Sequence, residues 1–239
     1  MKKTTSIIAL VAAGLVAGAS GVHAQTLENR IFLSVDVGAQ VGSHSVNTNT
    51  SFPLYDETAT VTSSQKVGAG PVIDFGGNYR VWRNLALGLM FTTFSRTVDG
   101  SLSATVPSPI FFNRPTTVNV TTPGLKHSEF GTHIQALYYF PVGEKLDLAI
   151  YGGPSIVHLS QDIPTATVPA GTQNTNVSVS KAKGTAAGGN VGAEISYMLT
   201  SRYGAGFYMR YAGGSVDLPT AKGVKVGGFQ VGGGIRVRF

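Results

Sequence analysis

The stretch Gly227–Phe239, GGFQVGGGIRVRF, alternates in character. Phe229, Val231, Ile235, Val237 and Phe239 share one side, with only Gly233 interrupting, and Gly228, Gln230, Gly232, Gly234, Arg236 and Arg238 share the other. A period of two belongs to a β-strand with one apolar and one polar face. Two architectures fit such a strand. A soluble barrel or sandwich buries the apolar face in a core, whereas a membrane barrel turns it to lipid and keeps the arginines inside. Alternation by itself does not choose between them, so the rest of the chain must.

Seven further runs alternate in the same way: RIFLSVDVGAQVG, VIDFGGNYRV, LALGLMFTTFSR, HSEFGTHIQALYYF, LDLAIYGGPSIVHL, GGNVGAEISYML and YGAGFYMRYA. Together with the closing run they make eight strands, an even number, each close to the ~9–11 residues that a tilted strand needs to cross a bilayer. No helical stripe competes with them. Short links near Trp82-Arg83-Asn84, Pro141 to Lys145 and Thr200-Ser201-Arg202 alternate with longer ones, about Gly42 to Lys66, Thr97 to Gly124, Ser160 to Gly184 and Gly213 to Gly223. The spacing therefore places all tight turns at one end of the strands and all loops at the other, the arrangement of membrane barrels and one that a soluble barrel does not require.

The distribution of residue types over the two faces points to lipid outside. Tyr79, Trp82, Tyr138, Phe140, Tyr197, Tyr203 and Phe239 fall on the apolar face at the turn end, with Phe130 and Tyr211 near the loop end, which gives a double aromatic belt. Asp36, Asp74, Arg80, Arg96, Glu129, Glu194, Arg210, Arg236 and Arg238 occupy the opposite face. An arginine in the middle of a lipid-facing surface costs ~2–4 kcal/mol, so these side chains are expected to line the interior and pair across it. An eight-stranded barrel is only wide enough to be filled by side chains, which predicts a packed polar core and no wide channel.

Composition agrees. Charged residues are 13% of the chain and glycines number 31, yet beyond the N-terminus no apolar run is long enough for a membrane helix. Lys2 and Lys3, the apolar run from Ile7 to Ala17 and the small residues around Val22-His23-Ala24 form a signal peptide expected to be cleaved after Ala24, leaving 25–239 as the barrel domain. Its removal takes two lysines and no acid, lowering the formal charge from +6 to +4. The basic residues are dispersed, which speaks against nucleic-acid binding. Cysteine is absent, which excludes disulfides and thiolate metal sites.

The signal peptide, the eight runs, the unit GGNYRVWRNLALGLMF, the YGGPSI strand and the final Phe239 together resemble the small outer-membrane β-barrel domains of the OmpA/OmpX type, the porin-family or opacity-like proteins. The resemblance spans nearly the whole mature chain. It implies an all-β, eight-stranded, antiparallel, up-and-down transmembrane barrel in the cell outer membrane, monomeric, in contact with outer-membrane lipid and lipopolysaccharide. It also implies that Phe239 is an assembly signal for the barrel-assembly machinery, and it gives no expectation of periplasmic tethering, because no peptidoglycan-binding domain follows.

No reaction-defining motif stands out, so the chain is expected to be a structural or surface-interaction protein without cofactor, metal or catalytic residues. One alternative is a narrow, low-conductance pore gated by the interior charges. Another takes His158 and Ser160 of VHLSQD as an outward-facing pair resembling that of lipid A deacylases, although Gln161 replaces the asparagine of that family and the pair lies on the fifth strand where the family places it on the sixth. His127, Glu129 and His133 share a face, but at ~3.3 Å per residue the two histidines lie about 20 Å apart and cannot hold one ion. In VPSPIFFNRP, Ile110, Phe111 and Phe112 form an apolar loop cluster that either contacts an extracellular partner or docks onto the barrel rim.

Overall fold

The computed structural model describes residues 30–169 and 171–239, so the expected signal peptide lies outside the described residues. Ten antiparallel strands follow one another: β1 Ile31–Val41, β2 His44–Leu54, β3 Glu57–Val67, β4 Gly70–Trp82, β5 Leu85–Val106, β6 Thr116–Pro141, β7 Leu146–Thr167, β8 Asn176–Met198, β9 Tyr203–Val216 and β10 Val224–Arg238. Eight of them close a ring in the order β1-β4-β5-β6-β7-β8-β9-β10, with β10 returning to β1 through Phe32↔Arg238 to Val41↔Phe229. The closing run of the sequence thus forms one side of the seam that seals the barrel.

The exterior is apolar where the eight-stranded wall is complete. Val35, Val37, Ile73, Phe75, Leu87, Leu89, Ile134, Ile195, Phe207 and Ile235 are all exposed. Eleven residues of β1, at ~3.3 Å each and tilted by ~45°, span about 25 Å, the height of the apolar band of an outer-membrane barrel. Tyr79, Trp82, Tyr138, Tyr197, Tyr203 and Phe239 are exposed at the turn end, and Phe130, Tyr211 and Phe229 toward the other.

The long links are not irregular loops. β5 to β8 run for 22 to 26 residues, at least twice what the bilayer needs, and the Gly42 to Lys66 link is a hairpin. Its two-residue turn, Tyr55 and Asp56, has φ of +54° and +61°, the mirror-image turn whose twist matches that of paired strands. β3 pairs along the upper half of β5, from Thr60↔Thr105 to Gln65↔Gly100. β2, β3 and the upper parts of β5 and β6 thereby form a projecting sheet that faces the β7–β8 hairpin. Alternating Thr and Val supply the β-propensity, and Val61, Leu102, Ala104 and Val106 form a small core that Phe52, Leu54, Ala166, Val168 and Val177 flank.

Inside the ring the lumen is layered. Ala86, Leu137, Tyr139, Ala149 and Tyr151 close the turn end. Val72, Phe94, Val157, Leu159, Ile163, Val216, Leu218 and Val226 close the loop end. Each such side chain gains roughly 1.5–3 kcal/mol from leaving water. The polar layer lies between these two plugs.

Candidate functional site

The middle of the lumen is built by inward positions of several strands. Asp74 of β4 accepts a 2.7 Å hydrogen bond from Arg210 Nη2 of β9, and further hydrogen bonds from the Thr92 and Tyr208 hydroxyls. Arg210 also donates to Gln230 Oε1, whose amide donates to Gln40. Thr92 leads on to His133 at 3.1 Å, His133 to Ser155 at 2.7 Å, and Asn190 ties Ser155 to Gln135. One connected network therefore reaches across the barrel. Beside it, Arg236 bridges Asp36 at 2.6 Å and Glu194 at 3.4 Å. Lower down, Arg238 meets Asp147 at 3.4 Å and the Ser201 carbonyl, while Arg80 lies over the Phe32 and Tyr139 rings.

The expected interior set lies on the lumen-facing side of the strands, and all but one of its members are buried or nearly so. Asp36, Asp74, Arg80, Glu129, Arg210, Arg236 and Arg238 are buried, and Glu194 nearly so. Arg96 is exposed. The reason lies in the ladder beside it: β4–β5 pairing ends at Val72↔Phe94 and β3–β5 pairing begins at Gln65↔Gly100, so Arg96 sits where the wall is interrupted. Asp147 completes the set and was readable in the sequence, since it alternates with Leu146 and Leu148. What remains open in the central layer is a void of about 30 Å³, enough for a water or two.

An apolar exterior around a closed eight-stranded ring whose charges are paired inside decides the class. The chain has the fold of an outer-membrane β-barrel. Its sequence matches no protein-family model and no curated protein. Among solved structures it is similar to Neisserial surface protein A (18% identity, 87% of this chain and 97% of that one, TM-score 0.39). It is also similar to the N-terminal β-barrel domain of Pseudomonas aeruginosa OprF (13%, 86% and 97%, 0.35). A third is the outer-membrane protease OmpT of Escherichia coli (9%, 92% and 99%, 0.49). Likenesses this distant assign no activity to the chain. The expectation that the chain is not an enzyme is withdrawn, since barrels of this architecture include a protease and the fold leaves catalysis open.

The suggested hydrolase pair has a different environment from the one its chemistry would need. His158 is exposed and its Nδ1 lies 2.9 Å from the Thr185 hydroxyl, and among the described residues no hydrogen bond joins it to Ser160 or to an orienting carboxylate. At the far end of the molecule Ile110, Phe111 and Phe112 are 80%, 60% and 69% exposed. The Arg114 guanidinium lies 5.9 Å from the Phe111 ring.

A further group comes together that no single strand contains. His44, at the start of β2, reaches His127 and Glu129 of β6, and one ligand atom of each lies within 4.8 Å of the others. The geometry that excludes His127 with His133 holds. The missing partner was His44, 83 positions upstream, and pairing along one strand could not reveal it. His44 lies above the membrane-spanning wall, where burial, then the neighbouring His127, holds its imidazole below the ordinary histidine value.

Proposed function

We propose that this protein is a surface-interaction barrel of the outer membrane that presents a stiff, strand-built platform to the cell exterior. The observation that carries the reading is the apolar tip of Ile110, Phe111 and Phe112, exposed at the end of strands that continue well past the bilayer. Monomeric soluble surfaces seldom leave such a cluster uncovered, and loops held by rigid scaffolds commonly carry binding. The partner that fits is a protein surface with an apolar pocket and acceptor groups for Arg114. In this reading residues 1–24 direct export and are removed, the exposed Phe239 is read by the assembly machinery, and the barrel acts as a monomer among outer-membrane lipids and lipopolysaccharide.

Adhesion of cells displaying the protein to matrix-coated surfaces tests the reading. The triple substitution Ile110→Ser, Phe111→Ser, Phe112→Ser is expected to reduce adhesion to the level of cells without the protein, with the barrel still folded by its heat-dependent gel mobility. Equal adhesion by the folded triple variant, or none by the parent, refutes it.

A further inference from the structure

We propose that His44, His127 and Glu129 form a divalent transition-metal site at the outer rim of the barrel, binding one ion of the zinc class and tying the projecting sheet to the wall. Two imidazoles and a carboxylate are the donor set of an open three-ligand zinc site, with the fourth position left to water. Imidazole nitrogen and carboxylate oxygen suit zinc, nickel and copper ions better than calcium or magnesium. The absence of cysteine leaves such a set as the ligands this chain can offer a borderline metal.

The surroundings hold the ligands in the required sense. Gln161 donates through Nε2 to Gln65 Oε1 at 2.6 Å, and Gln65 donates to the Asp162 carbonyl at 2.8 Å. That chain turns Gln161 Oε1 toward His127, whose Nδ1 lies 2.5 Å away and therefore acts as the donor. Nδ1 carries a proton, and Nε2 is the nitrogen that faces Glu129 Oε1 at 2.7 Å. The ring nitrogen and the carboxylate oxygen thus already converge on one point. An ion bound there would sit between them in place of that direct contact. The other carboxylate oxygen of Glu129 accepts the Gly227 amide at 2.8 Å, fixing the plane of the group. Outer hydrogen bonds of this kind orient metal ligands and raise their basicity.

His44 completes the set. Its Nε2 is buried and has no hydrogen-bond partner among the described residues, an arrangement that is unfavourable unless something occupies the position. Its ring stands edge-on to His127, with centroids 5.3 Å apart. Tetrahedral bonds of ~2.0–2.1 Å put ligand atoms about 3.3 Å from each other. His127 and Glu129 would separate by about 0.6 Å from their hydrogen-bonded distance, and His44 would close within its present limit of 4.8 Å. The β1–β10 ladder ends at Val41↔Phe229, and beside it lies an opening of about 720 Å³ bordered by Gly42, His44, Gly68, Gly227 and Gly228. The consequence is mechanical. β2 pairs with β3 alone, so an ion shared with β6 would clip the outer edge of the platform to the barrel.

Zinc titration of the mature protein refolded in detergent micelles tests this, by calorimetry and by metal content after gel filtration. One ion per barrel is expected, and cobalt should show the intense visible bands of tetrahedral coordination. His44→Ala and His127→Ala should each weaken binding at least ~100-fold, and Gln161→Leu, which touches no metal, by ~10–100-fold, while His158→Ala leaves it unchanged. Zinc should also slow amide exchange in β2 and β3. Heat-dependent gel mobility confirms that each variant is folded. No stoichiometric zinc binding by the folded parent protein, or binding that survives His44→Ala and His127→Ala undiminished, overturns the proposal, and neither outcome bears on the adhesion reading.

Discussion

Asp74→Ala is the substitution to which the barrel should be most sensitive. Asp74 and Arg210 are 1% and 2% exposed, and Asp74 accepts from Arg210, Thr92 and Tyr208 together. Removing the carboxylate leaves a guanidinium in the lumen with Gln230 and Thr92 as its neutral partners. Breaking a buried pair on one side costs about 3–5 kcal/mol, because the remaining charge has lost its hydration and its counter-ion. That is a hundredfold or more in the folded-to-unfolded ratio. Urea unfolding in lipid vesicles, followed by the fluorescence of Trp82 and by gel mobility, gives the free energy. Asp74→Leu with Arg210→Met removes both charges while keeping volume, and should cost at least ~2 kcal/mol less than the sum of the two single changes. A loss below ~1 kcal/mol for Asp74→Ala, or additivity within ~0.5 kcal/mol in the double variant, would refute the view that this pair holds the lumen together.

Two further outcomes follow from the packing. In planar bilayers the parent protein should give no steady conductance, since its central void is only about 30 Å³; regular single-channel steps would show that the plugs open. Gly234→Ala should impair assembly, with a loss of more than ~2 kcal/mol in the folded fraction, because its new Cβ would lie 1.9 Å from the Val35 carbonyl oxygen across the β1–β10 seam. Gly143→Ala, with nothing within 4 Å, should be neutral, and equal folding yields for the two variants would contradict the seam argument.

The sequence carried the strands of the wall through their period of two, and the one-ended turns, aromatic belts and face-confined charges carried its orientation, with Phe229, Ile235 and Phe239 outside and Arg236 and Arg238 inside. It was less informative about the projecting strands. Stretches such as TATVTSSQKV and TTVNVTT read as loops because Thr, Ser and Asn blur the contrast between faces, although their β-branched residues favour strands once a neighbour is available to pair with. Arg96 lies on the expected face opposite His127 but stays exposed, because local alternation does not show where a ladder is interrupted.

What the sequence determined by itself was therefore every property that depends on near neighbours along the chain: the strand period, the end carrying the tight turns, the aromatic girdles and the confinement of charge to one face. Only the tertiary structure decided which charges share a partner, that the long links are a two-layer platform, and that His44 lies against His127 and Glu129. Those contacts depend on strand register around a closed ring and on side chains meeting across a lumen, distances that separation along the sequence does not encode.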